Sequence, residues 1–167
     1  MSRGSGKSIN TKKLVDKIEK ITREKITAEK VVSLNDFRSL KQKDEPKTIL
    51  VIDDDETMRQ ALKRIFEAEG YRVLVAADGT QLSAVLDESP LELIVLDIGL
   101  PWINGFELCK LLKENPDLKK IPLVFISAKT SELDVRRGFE VGCDDYIKKP
   151  FNVDEIKNTV RTLLKLR

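Results

Sequence analysis

Leu93 to Asp97 reads Leu-Ile-Val-Leu-Asp, four apolar residues that end on a carboxylate. An apolar run this short, with no polar alternation, suits a strand buried on both faces. The aspartate then falls where the strand leaves its sheet. Working outward, four more runs share this build: Ile49 to Ile52, Val73 to Ala77, Leu123 to Ile126, and Tyr146-Ile147.

Helical patterns fill the gaps. Met58, Ala61, Leu62, Ile65 and Phe66 follow the i, i+3, i+4, i+7, i+8 rule, and Gly70 stands where a helix commonly ends. Leu82, Val85 and Leu86 mark a second helix. Phe106, Cys109 and Leu112 mark a third, which stops before Pro116. A fourth, from about Ser131 to Val141, carries a thin stripe of Leu133, Val135 and Phe139, with Arg136 and Arg137 between them. The fifth runs from Val153 through Ile156, Val160, Leu163 and Leu164. Strands alternating with helices predict an α/β fold: a doubly wound, five-stranded parallel sheet with helices on both faces.

Ligands of such sheets bind beyond the carboxyl ends of the strands. The residues there are Asp53 and Asp54 after the first run, Asp97 after the third, Ser127 after the fourth and Lys149 after the fifth. Carboxylates gathered in one crevice repel one another, and desolvation raises the cost. A hard divalent cation such as Mg²⁺ relieves it, since it takes carboxylate and carbonyl oxygen and keeps waters. An ammonium and a hydroxyl suit the oxygens of a phosphoryl group. A carboxylate held by a metal can then act as the nucleophile at phosphorus. Each residue alone has a plainer reading: an acidic pair as a helix cap, a serine as a turn cap, a lysine as a solvated charge. All of them at separate strand ends leave that reading little room.

Ile49 to Asp54, Leu93 to Asp97 with Leu100-Pro101 and Gly105, Val124 to Ala128, and Asp145 to Phe151 together resemble the two-component response-regulator receivers. The resemblance covers about residues 47 to 166. It implies a flavodoxin-like (βα)5 fold with strand order 2-1-3-4-5. It further implies that Asp97 is the phosphoryl acceptor. Asp54 would bind Mg²⁺ directly and Asp53 through water, with Asp97 and the backbone carbonyl of Gly99 completing the protein ligands. Lys149 would pair with the phosphoryl group, aimed inward by a cis bond to Pro150. Ser127 would swing toward a phosphoryl oxygen, and Tyr146 would report this as a rotameric aromatic on the outer surface. Gly99 and Lys129 stand where side chains tune the dephosphorylation rate, and Trp102 offers an optical reporter. The phosphodonor implied is a histidine kinase or phosphotransfer protein, and the domain is a signalling switch that catalyses only its own phosphorylation and dephosphorylation.

Composition narrows the alternatives. The chain contains no histidine, which excludes histidine general bases, histidine metal ligands and a self-contained phosphohistidine step. No apolar run reaches the roughly 18–20 residues of a membrane span, and no apolar core of a signal peptide opens the chain. Cys109 and Cys143 read as free thiols in a reducing compartment, so a cytoplasmic setting is expected.

The boundary of the domain falls near Lys41 to Pro46. Residues 1–46 carry 12 Lys/Arg against 7 Asp/Glu, whereas residues 47–167 carry 18 against 21. A basic extension, helical or partly disordered, thus precedes a mildly acidic receiver. Leu14, Ile18, Ile21 and Lys25 share one helical face, and Leu34, Phe37 and Leu40 another, as helices that pack on the receiver or on a partner would. A basic helix can contact nucleic-acid phosphates, but one aromatic and interspersed glutamates make a poor DNA-binding signature. Gly4 to Ser8 resembles the end of a phosphate-binding loop but lacks its first glycine and a preceding strand. The last pattern runs almost to Arg167, so no C-terminal output domain is expected. Output should pass to a downstream protein through the receiver's fourth helix, fifth strand and fifth helix.

Two rival functions remain. Asp53 to Thr57 fits Asp-x-Asp-x-Thr, the first motif of haloacid-dehalogenase-like phosphatases, with Asp53 as nucleophile and Asp55 as acid/base. That reading leaves Asp97 idle and puts Asp144-Asp145 at the start of a strand. The second rival is a constitutive interaction module whose acidic pocket is never phosphorylated.

Overall fold

A computed structural model of the chain describes residues 11–28, 45–88 and 90–166. The elements run α1 (Thr11–Ala28), β1 (Thr48–Ile52), α2 (Glu56–Ala68), β2 (Arg72–Ala76), α3 (Gly79–Glu88), β3 (Leu93–Leu96), α4 (Gly105–Glu114), β4 (Leu123–Ser127), α5 (Glu132–Glu140), β5 (Asp145–Lys148) and α6 (Val153–Lys165). The strands form one parallel sheet in the order β2-β1-β3-β4-β5. This is the flavodoxin-like arrangement expected from the sequence. The Gly4 to Ser8 stretch, most of the Lys41 to Pro46 boundary, the face of Leu34, Phe37 and Leu40, and the side chain of Lys25 lie outside the described residues.

Every residue of β1, β3 and β4 is buried. Successive side chains point to opposite faces, so each strand feeds two cores. Leu50, Ile52, Ile94, Leu96, Leu123 and Phe125 face one, together with α3 and α4. Ile49, Val51, Leu93, Val95, Val124 and Ile126 face the other, together with α2 and α6. That double burial is why the runs read as continuous rather than alternating.

The helix ends follow from local chemistry. Asp55 caps α2, its carboxylate accepting from the Thr57 and Met58 amides at 2.9 and 3.3 Å. Gly70, at a φ of +90°, then turns the chain toward β2. Asn104, Ser131 and Asn152 cap α4, α5 and α6 in the same manner as Asp55. Cys109 and Cys143 are free and buried, and burial pushes both thiols up to about 12. None of the helices among the described residues is long and apolar enough to cross a membrane.

Candidate functional site

Parallel pairing brings the strand ends into one row. β1 and β3 pair Ile52 with Leu96, so the next residues, Asp53 and Asp97, leave the sheet side by side. The Asp97 amide still donates to the Ile52 carbonyl at 2.9 Å, and the Asp53 amide to that of Ala76 at 3.2 Å. Beyond β3 lie β4, which closes on Ser127, and β5, directly followed by Lys149, whose amide donates to the Ser127 carbonyl at 2.8 Å. The register thus gathers side chains that are far apart in sequence.

Carboxylate oxygens of Asp53, Asp54 and Asp97 lie within 4.8 Å of one another. Asp53 is buried, Asp97 half-buried and Asp54 exposed. The Lys149 ammonium reaches between two of them, 3.1 Å from Asp53 Oδ2 and 3.6 Å from Asp97 Oδ2. The Lys149–Pro150 bond is cis. Asp53 is held further by the Asp55 amide, which donates to Oδ1 at 2.9 Å. Asp97 Oδ1 accepts from the Gly99 amide at 3.4 Å, and Gly99 is bridged to Asn104 across the loop.

Burial dominates the ionisation of Asp97. Desolvation pushes its carboxyl above the usual carboxylate range; Lys149 opposes this, Asp53 adds to it, and the Gly99 and Ile98 amides oppose it. The site therefore concentrates negative charge that one lysine only partly offsets. Three hard oxygen donors converging in this way fit a small hard divalent cation, and they do not suit a soft one.

Ser127 is only 1% exposed, and its Oγ accepts from the Lys129 amide at 3.1 Å. The Lys129 carbonyl in turn accepts from the Tyr146 hydroxyl. A short backbone step thus links the hydroxyl at the site to the aromatic ring. Tyr146 is not on the outer surface as the sequence reading had it. It is 9% exposed and tilted against Phe125, with ring centroids 5.8 Å apart. Gly138 makes the room: a Cβ there would lie 2.9 Å from Tyr146 Cδ2.

Against known proteins, residues 49–161 match the family model of the response regulator receiver domain. The chain belongs to the response-regulator receiver family. The receiver is 41% identical over 116 residues to the aerobic respiration control protein ArcA of Escherichia coli K12, covering 70% of this chain and 48% of that protein. It is 40% identical over 119 residues to the transcriptional regulatory protein YvrH of Bacillus subtilis, covering 71% of this chain and 49% of the relative. The chain thus spans about half the length of the curated relatives it matches. Among solved structures, the receiver domain of the Francisella response regulator 1452 superposes with a TM-score of 0.66 at 33% identity, covering 71% of this chain and 97% of that one. The chemotaxis protein CheY4 of Vibrio cholerae gives 0.66 at 27% identity, covering 71% and 98%.

Arg59 escaped the sequence reading, and Gly105 entered it only as part of a matching stretch, with no role of its own. Arg59 donates from Nη1 to the Asp53 carbonyl at 2.8 Å and steadies the acidic turn. Gly105 opens α4 directly behind the pocket, where a Cβ would sit 2.4 Å from Ile98 Cα and 2.5 Å from the Asp97 carbonyl oxygen. The Asp-x-Asp-x-Thr reading finds little support in the geometry. Its acid/base, Asp55, is engaged as a helix cap. Its distal acid, Asp144, accepts from Lys113 and the Leu123 amide where β4 begins, at the edge of the sheet opposite the pocket.

Proposed function

We propose that this receiver takes a phosphoryl group onto Asp97 and switches a protein-binding surface. One observation carries the reading: the carboxylate cluster of Asp53, Asp54 and Asp97 with the Lys149 ammonium between Asp53 and Asp97. A carboxylate oxygen of Asp97 attacks phosphorus in line, the bond from phosphorus to the donor breaks, and an acyl phosphate forms. The donor is a phosphohistidine of a histidine kinase or phosphotransfer protein, which leaves as neutral imidazole once protonated. The chain is the phosphoryl acceptor and partly its own catalyst, rather than an enzyme acting on a separate substrate.

Asp53, Asp54, Asp97 and the carbonyl of Gly99 would hold Mg²⁺. Bound there, the ion neutralises the carboxylates and polarises the phosphoryl oxygens. Lys149 supplies the second positive charge and orients the transferred group. Ser127 donates its hydroxyl to a phosphoryl oxygen, and Tyr146 follows through Lys129. The surface so changed comprises α5, β5 and α6, the receiver's fourth helix, fifth strand and fifth helix. It already exposes Leu133 and Phe139, which a downstream protein can cover. The setting we propose is cytoplasmic, with residues 1–46 as an extension and 47–167 as the receiver.

The test is intact mass after incubation with acetyl phosphate. One added phosphoryl group is expected on the full chain with Mg²⁺. None is expected with chelator or in Asp97→Asn. An adduct that persists in Asp97→Asn would overturn the assignment.

A further inference from the structure

α1 is no loose arm. Leu14, Ile18 and Ile21 are 2%, 5% and 7% exposed and join the buried cluster that contains Val85, Leu112 and Leu118. Lys17 forms an ion pair with Asp87 of α3. The most specific tie is Asn115, the residue that ends α4. It is 6% exposed, and its Nδ2 donates to the Ile18 carbonyl of α1 at 3.0 Å. Its Oδ1 meanwhile accepts from the Asp117 and Leu118 amides at 2.9 and 3.2 Å. One buried side chain therefore joins the last turn of α4 to the middle of α1, and truncating it would strand buried polar groups.

The other end of α4 touches the phosphoryl site. Gly105 is packed so tightly on Ile98 and the Asp97 carbonyl that no Cβ fits, and its amide donates to the Ile98 carbonyl at 2.9 Å. Between Gly105 and Asn115, α4 is a continuous helix whose Phe106, Leu108, Cys109 and Leu112 are buried. Such a helix moves as a unit rather than bending. α4 thus spans from the backbone of Asp97 to the Asn115 contact with α1. A cleft of about 520 Å³ opens beside this contact, lined by Val15, Arg23, Leu111 and Pro116 among others.

We infer that α1 is a clamp on the phosphoryl site, coupled to Asp97 through α4: seated α1 favours the assembled pocket, and a phosphoryl group on Asp97 tightens the seat of α1. The sign we assign is that of the arrangement in this structure, where α1 is seated while the three carboxylates, Lys149 and the inward Tyr146 stand together. The inference rests on Asp97 being the acceptor. Coupling of this kind is reciprocal: whatever factor the seat adds to phosphoryl binding, phosphoryl binding adds to the seat.

The experiment uses the full chain with Mg²⁺ and beryllofluoride, which mimics an aspartyl phosphate. Amide exchange over residues 11–28 is measured with Mg²⁺ alone and with Mg²⁺ and beryllofluoride. Binding is followed by Trp102 fluorescence or, if that is silent, by exchange at residues 97–105. Beryllofluoride should slow exchange in α1 about threefold or more. Ile18→Asp, which unseats α1, should raise the half-saturating beryllofluoride concentration by a matching factor. Lys17→Glu, which breaks the half-exposed ion pair with Asp87 and leaves the apolar seat intact, should do so by less. Beryllofluoride binding that leaves α1 exchange unchanged or faster overturns the coupling while the acceptor reading stands. No beryllofluoride response in the wild type, together with no acetyl phosphate adduct, sinks the acceptor reading and this inference with it.

Discussion

The pocket at the carboxyl edge of the sheet and the seat of α1 on the flank of α4 are built on opposite terms. The pocket crowds three carboxylates around one lysine and half-buries Asp97, at a cost in stability. The seat buries Leu14, Ile18 and Ile21 and satisfies Asn115, which is a gain. A single helix, α4, joins them. Function sits at the strained end and the compensating packing at the relaxed one, so removing a carboxylate at the first and apolar surface at the second should move stability in opposite directions.

The largest expected effect is at Lys149. Lys149→Ala should slow phosphorylation by acetyl phosphate about 10²-fold, the scale of removing one charged stabiliser of a transition state. It should also lower the unfolding midpoint, because it leaves the buried Asp53 carboxylate without its cation, and kinetics beside a urea titration separate the two effects. At the seat, Leu14→Ala should destabilise by about 2 kcal/mol, the low end for a buried aliphatic truncation, because α1 can partly collapse onto α3. Urea unfolding with an unchanged m-value checks it. If Leu14→Ala costs nothing, the seat is not a stabilising region and the comparison fails.

Asp97→Asn should raise the melting temperature of the metal-free protein by a few degrees at neutral pH. The sign comes from linkage. A carboxyl raised in the folded state binds its proton more tightly there than in the unfolded chain. Stability is therefore fully present below the unfolded value and is lost as pH rises through the folded one. The gain from the amide should shrink toward zero in acid, and melts in chelator at two pH values decide it.

The smallest effect is at Gly138. A Cβ there crowds Tyr146, a cost of about 1 kcal/mol, while alanine improves the helix by roughly the same amount. Gly138→Ala should leave stability almost unchanged yet alter the near-ultraviolet signal of Tyr146. An unaltered signal would mean the inward ring does not depend on that glycine.

These two ends were also unequally legible. All five strands and the five acid, hydroxyl and ammonium residues at their ends followed from the sequence pattern, whereas the strand order came only with the resemblance to the receivers. The reason is physical: where a doubly buried run gives way to a polar residue, the sheet ends, and parallel pairing aligns those ends. Periodicity likewise marked Leu14, Ile18 and Ile21 as one face. It could not say what covers that face, because apolar packing is non-directional and carries no partner's signature. Asn115, Arg59 and Gly138 were missed for related reasons. Asn115 precedes a proline and reads as an ordinary helix stop, and Arg59 reads as a solvated helix charge. Gly138 reads as a weak spot in α5. The orientation of Tyr146 was also misjudged, since a rotamer depends on space that only the folded neighbour provides.

The most direct test of Asp97 as acceptor is chemical. The full chain is incubated with Mg²⁺ and acetyl phosphate, reduced with borohydride, and mapped by peptide mass spectrometry. An acyl phosphate is reduced to an alcohol, so phosphorylated aspartate becomes homoserine while free carboxylates do not react. Homoserine at position 97 alone is the predicted result. Homoserine at position 53, or a phosphoryl group that yields none, would contradict it.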